Sequence, residues 1–339
     1  MKRIAMFGAG SMLLTAALAA LPASAQSQSP EAKTVLVEEH FTGKKIEDEN
    51  FVSLGACLTA ATEAVGENAF DSCADQNTGP VPTSGKKPGY LQLTDVEKYQ
   101  AGAVVYNKAL PSKHGIEVTF AQYQYGGTGA DGISFFLVDG ETDLTETGAM
   151  GGSLGYAQRI TEDADTPNSP GVDGGYLGLG LDAWGNFSAD TEGRGSGCPE
   201  DRRAPEHLQV YANRAPDTAA LRGPGQGFDG YCLLETSATD EVIGEYANGL
   251  LYGTNFPESL ETETLAEAKR TVKLKVMDDG DQAKVTVDIN FQDGNGWVRV
   301  LESTVPQALP ETFKFGFASS TGGEVDVHLL RHLRVESIE

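Results

Sequence analysis

Apolar residues recur at every second position in segment after segment of this chain. That regularity restricts it to strands holding one face against a core and one in water. Ile116-Glu117-Val118-Thr119-Phe120 alternates, as do Val272-Lys273-Leu274-Lys275-Val276, Val285-Thr286-Val287-Asp288-Ile289 and Phe313-Lys314-Phe315-Gly316-Phe317. Ile133 to Val138 and Tyr176 to Leu181 are almost unbroken apolar residues and glycine, the pattern of strands covered on both sides. Turn chemistry fits antiparallel pairing: Asp278-Asp279-Gly280-Asp281 separates two strands, and Asp293-Gly294-Asn295-Gly296 precedes Trp297-Val298-Arg299-Val300. Only Glu258 to Lys269 reads as a helix. Roughly a dozen strands without βαβ alternation or internal repeat predict one large all-β sandwich. The Gly/Asp/Pro-rich stretches around 57–88, 161–174 and 190–230 are then long loops between strands, where function usually sits.

The N-terminus has the form of a secretory signal over residues 1–25. Lys2 and Arg3 give the positive start, Met12 to Leu21 the apolar stretch, and Ala23-Ser24-Ala25 the small-residue cleavage site. The apolar stretch is too short to span a bilayer and Pro22 interrupts its end, which disfavours an anchor; the charged C-terminal segment from Arg331 to Glu339 is no anchor either. The expectation is an exported, periplasmic or extracellular protein cleaved near Ala25, with a polar leader at 26–34 and one domain at 35–339. Its formal charge of −24, which deepens to −26 once Lys2 and Arg3 are removed, excludes nucleic acid and anionic lipid as partners, because their phosphates would repel it.

The four cysteines, Cys57, Cys73, Cys198 and Cys232, fit two disulfides in an oxidising compartment. Three connectivities are possible. Cys57–Cys73 with Cys198–Cys232 is favoured because each pair brackets an irregular loop whose closure would otherwise cost entropy. With no C-x-x-C pair and five scattered histidines, structural zinc is disfavoured.

Three segments, GADGISFFLVDG (129–140), YLGLGLDAWGNFSAD (176–190) and FKFGFASSTGGEVDVHLL (313–330), together resemble the L-type, or legume-type, lectins, in particular their secreted bacterial members. The resemblance spans roughly residues 35 to 338 and is strong only in those blocks. It implies a concanavalin A-like jelly-roll β-sandwich of antiparallel sheets. On the residues alone, Asp182, the carbonyl of Trp184, Asn186 and Asp190 form an oxygen-rich loop suited to a hard cation, though the same residue types build ordinary turns. The resemblance gives these four positions the role of calcium ligands. It implies no transition metal: the position of the family's glutamate ligand is Gly180, which has no side chain to offer, and His207, in His207-Leu208-Gln209-Val210, is read as a strand residue.

A site for neutral sugar hydroxyls needs a fixed carboxylate acceptor, an amide donor, backbone N–H groups and an aromatic face. By resemblance these are Asp131, held by a cis peptide bond with Ala130, then Asn186, Gly152 and Trp184. Ser319-Ser320-Thr321-Gly322-Gly323 matches the family's remaining contact loop least well. The partners implied are glycans, polysaccharides or glycoprotein surfaces, bound without catalysis. Two alternatives stand beside this reading. One is an adhesive or structural module with the same fold and no sugar binding. The other is a retaining glycoside hydrolase, because Glu141-Thr142-Asp143-Leu144-Thr145-Glu146 spells the E-x-D-x-x-E of glucanases, with Glu141 and Glu146 as the carboxylate pair. A loop is expected there, right after Val138-Asp139-Gly140, rather than the strand such carboxylates need. Gly223-Pro224-Gly225-Gln226-Gly227 follows no clear strand and opens no helix, so it is a loop closed by Cys232 rather than a phosphate cradle.

Overall fold

A computed structural model describes residues 31–64, 70–161, 166–239 and 253–339. The signal-type segment 1–25 lies outside the described residues, as does most of the leader. Ala32–Glu339 forms one compact unit. Its strands are β1 (Lys33–Glu39), β2 (Phe51–Leu54), β3 (Cys57–Leu58), β4 (Asp71–Ser72), β5 (Leu91–Thr94), β6 (Ala101–Pro111), β7 (Gly115–Tyr125), β8 (Gly132–Asp139), β9 (Gly175–Asp182) and β10 (Thr218–Arg222). They continue with β11 (Gly225–Gln226), β12 (Asp229–Gly230), β13 (Leu233–Thr236), β14 (Glu261–Thr262), β15 (Lys269–Asp278), β16 (Ala283–Asn290), β17 (Trp297–Val305), β18 (Thr312–Ser320) and β19 (Val327–Ile338).

These strands make an all-β jelly-roll sandwich of two sheets. One runs β17-β16-β15-β7-β19-β5-β3-β4, with β1 joined to β19 and β14 to β7. The other runs β12-β11-β9-β8-β18-β6-β2, with β10 joining β9 and β13. Every ladder is antiparallel except the two-residue pairings of β3 with β4 and β14 with β7. The alternating segments fall inside β7, β15, β16 and β18, and their apolar sets meet between the sheets. Phe120 of β7 packs edge-on to Phe317 of β18, ring centroids 4.9 Å apart, and stacks at 6.0 Å on Phe135 of β8.

The two continuously apolar segments are β8 and β9, and the reason for their pattern is visible. One face of each joins the inter-sheet core, while the other lies under a second apolar cluster built by the long loops, including Leu154, Tyr156, Phe187, Ala189, Leu208 and Tyr231. The loop-facing residues of β9 include Gly178 and Gly180, where an added Cβ would collide with the rings of Tyr156 and Phe187. Loops can therefore lie flush on this sheet because two side chains are missing from it.

Two expectations of local structure need correction. No helix covers 258–269: Glu261–Thr262 forms β14 beside β7, and a single turn follows, with Ala268 N–H donating to Thr264 O at 3.1 Å. Tertiary partners take the groups a helix would need. Leu260 N–H donates to the Asp217 carboxylate at 2.5 Å, and Arg270 donates to the Ser259 and Glu267 carbonyls. His207 is not on a strand but in a 3₁₀ turn, Glu206–Leu208. There Leu208 N–H donates to Pro205 O at 2.8 Å, and the buried Leu208 side chain anchors the turn. The disulfides Cys57–Cys73 and Cys198–Cys232 are both formed. The Gly223–Gly227 segment contributes β11, which pairs with β12 beside the second disulfide.

Candidate binding site

Strand register brings the resembling segments to one edge. Ser320 pairs with Gly132, and Ile133 with Leu181, so the end of β18, the start of β8 and the end of β9 lie side by side. The Ala130–Asp131 peptide just before β8 is cis. Asp131 N–H donates to Ser320 O at 2.9 Å, and the Asp131 carbonyl accepts from Trp184 N–H at 2.9 Å. Ser320 Oγ donates to Asp131 Oδ2 at 2.8 Å and accepts from Gly151 N–H at 2.8 Å. Ser320 thus ties the 131 and 151 segments together, and the Asp131 carbonyl adds the 184 segment to the knot. Gly152 lies against Asn186: a Cβ there would sit 2.5 Å from the Asn186 Cβ.

Asp131 is only 7% exposed, and burial pushes its carboxyl up to about 7, opposed by the Ser320 hydrogen bond and reinforced by the nearby Asp182 charge. Asp182 is fully buried and raised to about 6 by desolvation, with the backbone hydrogen bonds from Gly185 and Phe187 pulling the other way.

Beside the knot opens a cleft of about 200 Å³ lined by Trp184, Asn186, Thr191, Glu192, Tyr211, Ala212 and Arg214. It is smaller than the ~300–1,000 Å³ pockets that enclose drug-sized ligands, so it suits a single ring left largely exposed. Trp184 and Asn186 line it; Asp131 and Gly152 do not. The Arg214 guanidinium sits 3.7 Å from the Trp184 ring centroid and covers that face. Tyr211, 79% exposed, presents an open ring at the rim. Sequence reasoning missed Tyr211, Glu192, Arg214 and the bridging role of Ser320. An exposed aromatic in a polar loop was the one signal available for Tyr211.

Of the four residues read as calcium ligands, Asp182, Trp184 and Asp190 have the oxygens in question engaged by the protein. Asp182 Oδ1 accepts from Gly185 N–H at 2.7 Å and Oδ2 from Phe187 N–H at 2.5 Å. The Trp184 carbonyl accepts from Arg214 at 2.7 Å. Asp190 Oδ1 accepts from Arg222 at 3.1 Å and Oδ2 from Ala204 N–H at 2.8 Å. Calcium takes six to eight oxygens aimed at one point, and the oxygens of Asp182, Trp184 and Asp190 are aimed at N–H groups instead, so three of the four do not fit the ion. Among the described residues no group of three or more His, Cys, Asp or Glu side chains is placed to hold a metal. Glu141, Asp143 and Glu146 lie exposed on the loop after β8, with Glu141 N–H donating to Asp139, and not on a strand facing a cleft.

No family model and no curated protein matches the sequence. Solved structures do. The VIP36 exoplasmic/lumenal domain, in a form with Ca²⁺ and Man3GlcNAc bound, is 13% identical over 76% of this chain and 82% of that one, at a TM-score of 0.44. Peanut lectin with a nine-residue peptide is 16% identical over 89% and 98%, at 0.43. Lectin II from Ulex europaeus is 11% identical over 90% and 100%, at 0.43. Identities this low carry no residue's role across.

Proposed function

We propose that this chain is an exported carbohydrate-binding protein of the legume-lectin type, without catalysis, which binds neutral glycan hydroxyls at the cleft beside Asp131. The observation that carries this reading is the hydrogen-bonded convergence of residues 130–131, 151–152 and 182–186 next to a small open cleft with an exposed ring. In this reading Asn186 presents its amide, and Glu192 and Thr191 offer acceptors for adjacent hydroxyls. Tyr211 and the edge of Trp184 meet the apolar C–H face of the sugar. Asp131 and Gly152 act indirectly: Asp131 through its bridge to Ser320, Gly152 by letting Asn186 approach. So shallow a site favours weak binding to one sugar and strength through multivalency.

A second reading has its own observation. Asp131 is buried and Gly152 does not line the cleft, as in a module that kept the fold and uses it structurally. An array of neutral glycans probed with the wild type and Asn186→Ala separates the two. Glycan signal lost in the variant upholds sugar binding, and silence with both proteins upholds the structural module. Release of reducing ends from β-glucan, abolished in Glu141→Gln, would instead establish hydrolysis.

A further inference from the structure

Arg194, Arg214 and Arg222 are all buried to within 1% of complete, and all three reach the loop that follows β9. Arg222, at the end of β10, donates to the carbonyls of Phe187 (2.9 Å), Ala189 (2.8 Å), Tyr231 (2.9 Å) and Arg194 (3.3 Å), and to Asp190 Oδ1 at 3.1 Å. Arg194 donates to Ala189 O at 3.0 Å, to Ser153 Oγ at 3.2 Å, to Thr191 Oγ1 at 2.6 Å and to Glu192 at 2.9 Å, joining the loop to the 151–153 turn. Arg214 bonds the Trp184 carbonyl and covers its ring.

We propose that these three buried guanidiniums hold the Asp182–Arg194 loop in the place a divalent cation would take, so that the site is built, and competent, without metal. Two physical arguments lead there. A divalent cation acts on such a loop by gathering carbonyl and carboxylate oxygens around positive charge. A guanidinium does the same with five fixed N–H donors, and Arg222 and Arg194 spend theirs on the oxygens of that loop. Charge is already compensated there as well: Asp190 pairs with the buried Arg222 and the half-exposed Arg203, Glu192 pairs with Arg194, and the buried Asp182 lies in the field of Arg194 and Arg214. A cation of charge +2 would lie beside three like charges, where a poorly solvated environment makes repulsion costly. Evicting an arginine to admit it would strip the carbonyls of their donors.

The inference deepens the binding reading above, but it concerns the loop and the ion, so its test does not need a known glycan. The melting temperature of the purified protein is measured in EDTA and in about 1 mM CaCl₂. Terbium(III) is titrated in parallel, with Trp184 as the sensitising ring. A calcium site of about 10 μM affinity would raise the melting temperature by several degrees under these conditions. The expected result is the same melting temperature in both, within about a degree, and no saturable terbium luminescence. Arg222→Met is expected to melt several degrees lower and to gain nothing from CaCl₂. A calcium-dependent rise of several degrees in the wild type, or saturable terbium luminescence abolished by Asp190→Asn, overturns the proposal. The wild-type measurements decide it even if Arg222→Met fails to fold.

Discussion

At the scale of single residues, the cleft divides its labour between groups that hold and groups that touch. Ser320 holds: one hydroxyl donates to Asp131 and accepts from Gly151, so Ser320→Ala removes two buried interactions at once. Its expected cost is about 2 kcal/mol in urea unfolding, since each buried group left without a partner costs about 1–3 kcal/mol. Tyr211 touches. Because its ring is exposed, Tyr211→Ala should leave the melting temperature unchanged and weaken glycan affinity about tenfold, the equivalent of about 1.4 kcal/mol, measured by calorimetric titration. His328, on β19, records burial in another way. Its ring is fully enclosed, with Nδ1 2.6 Å from Thr94 Oγ1, and burial pushes its pKa down to about 3. The folded state therefore refuses a proton that the unfolded chain accepts below about 6.5, so stability is lost as pH falls from that value toward about 3. Between pH 6.5 and 4.5 the wild type should lose about 2–3 kcal/mol more than His328→Gln, read from urea midpoints at both pH values.

At the scale of elements, strands were legible wherever one face is wet or both are covered, because a period of two survives in the side chains themselves. β7, β15, β16 and β18 were readable on that basis, and β8 and β9 from their continuous apolar character. The segment 258–269 was not. Leu265 and Ala268 stand three apart, as on a helix, yet the segment's backbone groups are claimed by Asp217, far away in sequence, and by Arg270, just past its end. His207 was misread for a related reason: four residues cannot distinguish a short strand from a turn pinned by Pro205 and Leu208. The oxygen-rich loop after β9 was found, but not its cations, since Arg194, Arg214 and Arg222 carry no local pattern to announce that they fold inward. The Cys198–Cys232 bridge closes a loop of 34 residues over that same cluster. Replacing both cysteines by serine should cost up to about 4 kcal/mol by denaturant unfolding, the loop-entropy expectation for such a length.

At the scale of the whole molecule, a sandwich with one sheet buried on both faces offers a rigid platform, and the loops laid across that sheet form the cleft. The net charge of −24 belongs to the surface and to loop chemistry, while the acids nearest the cleft are balanced by buried arginines. A neutral glycan bound there gains nothing from long-range steering. Its affinity should stay within about twofold between roughly 0.05 and 0.5 M NaCl, where an electrostatically driven partner would weaken steeply. The central claim is that a glycan binds at this cleft. Amide chemical-shift mapping with the strongest array glycan, in EDTA, tests it most directly. The account predicts saturable shifts confined to residues 130–132, 151–153, 184–192 and 211–214; shifts on another face of the sandwich, or none at saturating glycan, would contradict it.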